Sequence, residues 1–503
     1  MSTTINARNS KAIKAITHPD YDDTIHHLTM VRDCVEGEKA VKDKGYLYLP
    51  HPSQIDSSSN EQLIRYREFK AGAEFDSFTD DTRREMIGKM RVSDSNIELP
   101  QSLEYLEYNS DGDGVPLRGA IELAINNVLQ VKWHVLVADV QNAPETLEGL
   151  SRADVEGLGT RTTIKQYSRE NVVNWNFSRI NGVMQLSYIK LLELSEDFDA
   201  STGQRKPIES YLILALDDEG NYYQQVERYT GESKETLAET YPRIDGNPLK
   251  WLPVVIFSDE ELQAGCLPKQ AGYLSSIASA SLDRYRVSAH YKETQRNMAP
   301  TIMNKGWQEG DADIFKQNNG GRSYIATGAG AVNNLPNNVE PSVLSCATEM
   351  TDFHWYFEQN EKKIRNLGGS ANTQGVTMTA TEADINASKQ NALLQTVADN
   401  AERAFKNIVL YCGMFEGLYS AGDIESNVED ILIELPRDFA TPKLTVEEVR
   451  VLLDGRLQGA FTTEQVLEKL SSGGWFKDDV QALIASLEES PPTNTVQSTN
   501  NDQ

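Results

Sequence analysis

The segment whose side chains most suggest chemistry is a short run of Asn, Asp and Gly. Asn109-Ser-Asp111-Gly-Asp113-Gly114 resembles the beginning of an EF-hand loop, whose alternate positions supply oxygen ligands to calcium. Counted from Asn109, however, the twelfth position is Ala120 instead of a bidentate Glu, and Pro116 interrupts the loop. An Asx-rich turn is therefore favoured over a calcium site, and we expect no bound metal.

The sequence also lacks the common motifs of nucleotide binding and of nucleophilic or zinc catalysis. It contains no GxxxxGK(S/T) loop, no GxSxG turn and no HExxH pair, and Gly157-Leu-Gly159 lacks the third glycine of a dinucleotide site. Because His26 and His27 are adjacent, they do not face one ligand from a helix. His290 and His354 are expected at an interface or at the surface. We therefore expect no catalytic residue, no cofactor and no enzymatic activity.

The charge balance is strongly acidic. The 503 residues include 48 Lys and Arg against 75 Asp and Glu, a net charge of -27. Proteins that grip nucleic acid usually concentrate basic side chains to neutralise phosphates. An acidic chain therefore suits a wall along which DNA slides, although acidity that only keeps a protein soluble is the simpler interpretation.

Cysteine usage and hydropathy favour a cytoplasmic setting. The four cysteines, Cys34, Cys266, Cys346 and Cys412, have neither CxxC nor metal-site spacing, so reduced thiols are expected. The N-terminus has no apolar signal core and no apolar run reaches about 18 residues, so we expect no membrane span.

Hydrophobic periodicity predicts a helical part followed by a β-rich part. Residues 25–130 are mainly helical in pattern, with Gly45 to Pro50 as a short extended stretch and a helix at roughly Leu117 to Val131. Residues 132–260 have strand patterns that begin with His134 to Val140 and include a hairpin turn at Ile180-Asn-Gly182.

Two predicted helices then flank an irregular, Gly- and Asn-rich insert. They run from about Lys269 to Met298 and from about Val343 to Asn366. The insert between them has strand candidates at Thr301 to Met303 and at Ser323 to Ala326. Helices with such modest apolar stripes bury themselves poorly alone, and copies around a rotation axis would cover them.

An uncharged segment and a very long helix follow. Leu367 to Met378 carries no charge, and Thr379 with Glu382 forms a capping box. The helix that begins there is expected to be roughly 55 Å long. Its apolar stripe comprises Ala383, Ala387, Leu394, Val397, Ala401, Phe405, Ile408 and Cys412. A strand is predicted after it at Ile431 to Leu435. Three short helices are predicted beyond that strand: Val446 to Asp454, Thr463 to Ser471 and Asp478 to Glu488.

This order of parts resembles that of the portal proteins of tailed bacteriophages. Local motifs are similar too: Gly45 to Pro50 followed by Tyr66-Arg67, then Val173-Asn-Trp175, then Ala299-Pro-Thr301 with Gly306. The resemblance implies an α+β fold of the portal type, with a β-rich wing, a two-helix stem, a small α/β clip, a long spine helix and a helical crown.

The resemblance divides the chain into nine segments. They are a flexible N-terminus (1–24), the wing (25–265, with 419–439 returning to it), the first stem helix (266–299), the clip (300–341), the second stem helix (342–366), the tunnel loop (367–378), the spine helix (379–418), the crown (440–490) and a disordered tail (491–503).

The same resemblance implies a function without chemistry. A portal protein forms a closed homo-oligomeric ring, usually twelve-fold, around a double-stranded DNA channel at one capsid vertex. It serves genome packaging, retention and ejection, and it is assembled in the host cytoplasm and located in the virion. Its partners would be the packaging motor (terminase), a head-completion adaptor, the major capsid protein and scaffold. No membrane association is implied.

Two sets of site residues follow from this mapping. The loop residues expected to touch DNA are Gly368, Gly369, Ser370, Asn372, Thr373, Gln374 and Gly375. The clip residues expected to dock motor or adaptor are Trp307, Ile314, Phe315 and Tyr324, with packing inside the clip as the alternative for them. Another neck or baseplate structural protein is the alternative function, and a hydrolase with a site in the β-rich part is a third.

Overall fold

Helices and strands follow one another in long blocks, so the fold is α+β, as the sequence predicts. The computed structural model describes residues 15–50, 60–140, 161–199, 201–230, 233–237, 239–244, 246–297, 301–325, 332–344, 351–368, 380–420, 430–437, 439, 446–457 and 462–472. The chain divides into two compact units, Met1–Leu435 and Pro436–Gln503.

The first unit begins with helices. They are α1 (Pro19–Glu36), α2 (Glu38–Asp43), α3 (Asn60–Gly72), α4 (Phe78–Met90), α5 (Tyr105–Tyr108) and α6 (Leu117–Val131). The apolar stripe of α6 is fully buried, and its bounds match the predicted helix.

The predicted extended stretch at Gly45 to Pro50 is wrong, because Gly45–Leu47 is a turn of 3-10 helix. Gly45 has a positive φ of 53°, and its carbonyl accepts the N–H groups of Tyr48 and Leu49 at 3.1 and 2.9 Å. The Tyr48 hydroxyl donates to Asp33 Oδ2. These bonds pull the segment back onto α1 and prevent an extended conformation.

The β-rich part contains a three-stranded and a five-stranded antiparallel sheet. The strands up to this point of the chain are β1 (Asn96–Glu98), which lies among the helices, then β2 (Trp133–Val140), β3 (Thr162–Ser168), β4 (Val172–Ile180), β5 (Val183–Asp199), β6 (Gln204–Leu216), β7 (Tyr222–Thr230), β8 (Ser233–Thr236), β9 (Arg243–Ile244), β10 (Asn247–Pro248) and β11 (Val254–Ser258). Strand order is β11-β2-β3 in the three-stranded sheet and β4-β5-β6-β7-β8 in the five-stranded sheet.

The predicted hairpin turn between β4 and β5 is confirmed. Asn181 and Gly182 have positive φ values of 51° and 84°, as a two-residue hairpin of type I′ requires.

Two helices then flank a small paired insert, which we define as residues 301–344. The elements are α7 (Ser275–Asn297), β12 (Thr301–Lys305), α8 (Asp311–Asn318), β13 (Glu340–Leu344) and α9 (Thr351–Asn366). β12 and β13 pair antiparallel, from Thr301 with Leu344 to Lys305 with Glu340.

Three predictions in this region need correction. The helix predicted from Val343 begins at Thr351, because Val343 and Leu344 belong to β13. The first helix begins at Ser275 rather than at Lys269. Residues 323–325 form no strand, and Ala326 lies outside the described residues.

The long helix α10 (Ala380–Phe415) has 36 residues, about 54 Å at 1.5 Å per residue. It packs on α6 and on the three-stranded sheet. Its predicted apolar stripe is buried wherever side chains are described: Leu394, Val397, Ala401, Phe405, Ile408 and Cys412. At roughly 1.5–3 kcal/mol for each fully buried large apolar side chain, this stripe stabilises the core substantially.

A returning strand completes the first unit. β14 (Leu432–Glu434) lies within the predicted strand and pairs with β1, with Ile433 opposite Ile97. In the second unit, α11 (Val446–Leu457) and α12 (Thr463–Ser472) lie close to their predicted positions. The third helix, predicted from Asp478, lies outside the described residues. No helix in the described part of the chain is long and apolar enough to cross a membrane.

Candidate functional site

The end of α6 holds the beginning of α7. The last carbonyls of a helix have no partner within the helix. Here the Leu129 and Gln130 carbonyls accept the N–H groups of Leu274 and Gly272, both at 3.2 Å. α7 therefore starts from a point fixed to the end of α6, directly before β2.

Gly272 is required by this close approach. A Cβ added there would lie 2.5 Å from the Gln130 carbonyl carbon and 2.5 Å from the Leu129 oxygen. Arg169 reinforces the junction by donating to the carbonyls of Val131 and Lys269, at 3.2 and 2.9 Å. The segment before α7 is thus packed backbone against backbone on the end of α6.

Lys132, directly after α6, has an unusual backbone and a paired side chain. Its φ is 85°, a conformation that favours glycine. Its Nζ lies 2.8 Å from Asp259 Oδ1 and 3.0 Å from Glu260 Oε2. Burial lowers the pKa of Lys132, but the hydrogen bonds to these carboxylates outweigh it and leave the pKa above its ordinary value. The ion pairs hold the chain where it turns from α6 into β2.

A cavity of about 650 Å³ opens at this junction. Its lining includes His27, Lys132, Glu260, Tyr273, Ser275, Leu367 and Leu393. His27 Nε2 lies 2.9 Å from Ser275 Oγ, and both side chains are at the surface. The start of α7, the end of α9 and the middle of α10 therefore meet around one space.

α7 and α9 pack against each other through polar and aromatic contacts. Asn360 Nδ2 donates to the Ala280 carbonyl at 3.1 Å, and Arg284 Nη2 lies 3.3 Å from Glu361 Oε1. The Arg284 guanidinium lies over the Phe357 ring at 4.8 Å, and the Tyr291 ring contacts Phe357 edge-on. The two helices form a hairpin that carries the insert at one end.

The insert exposes three of its four predicted docking residues. Trp307, Ile314 and Tyr324 are 39%, 46% and 67% exposed, whereas Phe315 is 2% exposed. Phe315 packs against Trp307, with ring centroids 6.0 Å apart. For Phe315, this burial favours the alternative of packing within the insert. Docking by the other three stays a prediction.

Of the predicted DNA-contacting loop, the structure describes only the beginning. Gly368 is buried, with φ of 83°, and its N–H donates to the Arg365 carbonyl at 2.8 Å. The other predicted contacts lie outside the described residues: Gly369, Ser370, Asn372, Thr373, Gln374 and Gly375. Gly368 thus ends α9 in a fixed conformation.

The Asx-rich segment is an ordinary turn in its hydrogen bonding. Asp111 Oδ1 accepts the N–H groups of Asp113 and Val115 at 2.9 and 3.0 Å, and Asn109 Oδ1 accepts that of Gly114 at 2.8 Å. Across the described ranges, no group of three or more His, Cys, Asp or Glu side chains is arranged to hold a metal ion.

Sequence reasoning missed the residues that tie this junction together. The helix predicted from about Lys269 includes Tyr273, yet this residue precedes α7, and its hydroxyl donates to the Leu367 carbonyl at 2.7 Å. Gln390 donates from Nε2 to the Gly368 carbonyl and accepts from Lys89 Nζ at 2.6 Å, but neither Gln390 nor Lys89 belongs to a sequence motif. The only local signal for the close contact is the pair of glycines, Gly272 and Gly368.

Known proteins are similar to this chain in two respects: one family model matches the stretch from Tyr273 to the end of α10, and solved structures align with most of the chain. A family model described as a domain of unknown function (DUF4055) matches residues 273–415, which run from Tyr273 to the end of α10. No curated protein matches the sequence.

Solved structures of low similarity cover most of the chain. A chain of "Virion of native gene transfer agent (GTA) particle" is 12% identical with a TM-score of 0.37, and the alignment covers 91% of this chain and 100% of that chain. A chain of "Neck of empty GTA particle computed with C6 symmetry" is 13% identical with a TM-score of 0.37, covering 83% and 94%.

Proposed function

We propose that this chain is the portal protein of a tailed-phage-like particle, a ring-forming subunit of the DNA channel at one capsid vertex. In this proposal it supplies no chemistry. Packaging energy comes from a separate motor, which docks on the insert together with head-completion adaptors.

The observation that carries the proposal is the order and pairing of the described elements from α7 to α10. A helix leaves the β-rich part, an antiparallel strand pair closes a small insert, and a second helix returns along the first. The chain then enters a 36-residue helix, whose apolar stripe is buried where its side chains are described and which packs on the three-stranded sheet. This is the order of stem, clip, second stem helix and spine on which the resemblance to portal proteins rests.

Surface composition supports association of copies. Trp355 on α9 is 62% exposed, beside the half-buried aromatic side chains of the same helix. Large exposed aromatic side chains are enriched in protein interfaces. Copies placed around an axis would cover this face, and such a head-to-tail contact closes into a ring when the rotation allows it.

The net charge supports passage of DNA without adhesion. A charge of -27 on each copy would be multiplied around a ring. A wall of that sign repels phosphates, so DNA would not bind tightly to it as it would to a basic groove.

Electron microscopy of the purified full-length protein tests the proposal. We expect closed rings with a central hole, twelve-fold by the resemblance, and no ATP hydrolysis by the rings alone. A protein that remains monomeric at high concentration under every salt condition contradicts the proposal. Rings that assemble onto tail or baseplate parts but never at a capsid vertex would favour another neck or baseplate protein.

A further inference from the structure

Two carbonyl groups at the end of α9 are held by side chains from other elements. The Leu367 carbonyl accepts the Tyr273 hydroxyl at 2.7 Å, and the Gly368 carbonyl accepts Nε2 of Gln390. Tyr273 precedes α7, and Gln390 lies on α10. Carbonyls at a helix end would otherwise lack protein partners, so these bonds fix the chain at the point where it leaves α9.

A third side chain sets the orientation of Gln390. Lys89 on α4 donates from Nζ to Gln390 Oε1 at 2.6 Å. Because an ammonium group can only donate, the amide oxygen of Gln390 must face Lys89, and its NH2 group must face Gly368. Lys89 is itself positioned by Glu85, at 2.6 Å. A polar chain therefore runs from α4 through α10 to the end of α9.

Gly368 allows the contact to be this close. A Cβ at this position would lie 2.1 Å from the Tyr273 hydroxyl oxygen, and the φ of 83° already disfavours other residues. Glycine at position 368 therefore lets the Tyr273 hydroxyl pack directly against the backbone, and its role is not to make this backbone flexible.

We propose that Tyr273, Gln390 and Lys89 form a clamp that positions the start of the segment joining α9 to α10. They act as positioning residues, because they fix the residues before that segment. This inference rests on the proposed function only where it states that the clamp affects the retention of DNA. The clamp also ties α4, outside the stretch 273–415, to that connection, so a displacement of α4 would be passed to it.

Hydrogen exchange on the full-length protein tests the clamp itself. Tyr273→Phe and Gln390→Leu each leave one carbonyl without its donor. We expect the amides of Leu367 and Gly368 to exchange faster by about tenfold, the typical effect of losing one hydrogen bond to a buried group. Exchange within β2 should stay unchanged.

Tyr241→Phe is the matched control, since it removes a hydroxyl that donates to Glu239 at 3.1 Å on an exposed surface. It should leave Leu367 and Gly368 unaffected. Unchanged exchange at these two amides in both clamp variants, or an equal rise throughout β2, would overturn the inference.

DNA retention in assembled particles separates the clamp from the proposed function. We expect Tyr273→Phe and Gln390→Leu rings to assemble normally but to retain several-fold less DNA, as does a variant with a shortened 369–379 segment. If the shortened variant retains DNA fully, the proposed role of that segment in holding DNA is wrong. Hydrogen exchange at Leu367 and Gly368 then remains the test of whether the clamp exists. If only the shortened variant loses DNA, the positioning role is wrong.

Discussion

Gly272→Ala should weaken the contact between the end of α6 and the start of α7. The new methyl group would meet backbone atoms at 2.5 Å, whereas ordinary carbon contacts lie at about 3.5–4.0 Å. The two segments must therefore separate by roughly 1 Å, and neither atom belongs to a flexible side chain that could rotate away.

The magnitude follows from what this separation breaks. Two backbone hydrogen bonds, Gly272 to Gln130 and Leu274 to Leu129, are both 3.2 Å long and would be lost. Together they contribute about 1–3 kcal/mol. Overpacking of a buried site adds about 1–3 kcal/mol. We expect the free energy of unfolding to fall by about 2–6 kcal/mol in total.

Gly88→Ala is the matched control. Gly88 lies within α4, and a Cβ there meets nothing within 4 Å. Alanine favours a helix interior over glycine by about 1 kcal/mol, so this variant should be as stable as the wild type or more so. Urea unfolding at one protein concentration, followed by circular dichroism, measures both. Equal stability of Gly272→Ala and Gly88→Ala would refute the proposed close packing.

Three further outcomes are expected. Burial lowers the pKa of His134 from 6.5 to about 4, so the unfolded state binds the proton first, and stability falls as pH drops through this window. His134→Gln should flatten unfolding free energy against pH between about 4 and 6.5, and an unchanged slope contradicts this. Trp307→Asp and Ile314→Asp should leave rings and capsid incorporation intact but abolish adaptor or motor binding in pull-down assays; loss of rings would assign these residues to assembly. Shortening the tunnel loop (367–378) by several residues should permit rings and empty heads but impair DNA packaging or retention, and normal packaging and ejection would make the loop a linker.

The sequence predicted most elements that a local pattern defines. α6 has a regular apolar stripe and a proline before its first residue, and its bounds agree with the prediction. The sequence also predicted the buried stripe of α10 and the turn at Asn181-Gly182 correctly, because helical spacing and positive φ depend on residues close in sequence.

Predictions failed where distant contacts outweigh local preference. Val343 and Leu344 fit a helix by pattern but pair with β12, some 40 residues earlier in the chain, as the register of Thr301 with Leu344 records. The stretch from Gly45 resembles a strand, yet the Tyr48–Asp33 bond folds it onto α1. Contacts between segments distant in the chain do not follow from hydrophobic periodicity, so a short stretch of sequence does not predict them.

By itself the sequence determined the α+β class, the acidic balance and the order of helix, insert, helix and long helix. Only the tertiary structure decided that Phe315 is buried while Trp307 is exposed, since both are aromatic residues in one polar segment. It also decided that the Leu367 carbonyl is held by Tyr273 and the Gly368 carbonyl by Gln390, although Tyr273 and Leu367 lie 94 positions apart in the chain. Every residue has a backbone carbonyl that could accept such a bond. The sequence therefore does not show which carbonyl a given side chain will contact, and only the tertiary fold decides it.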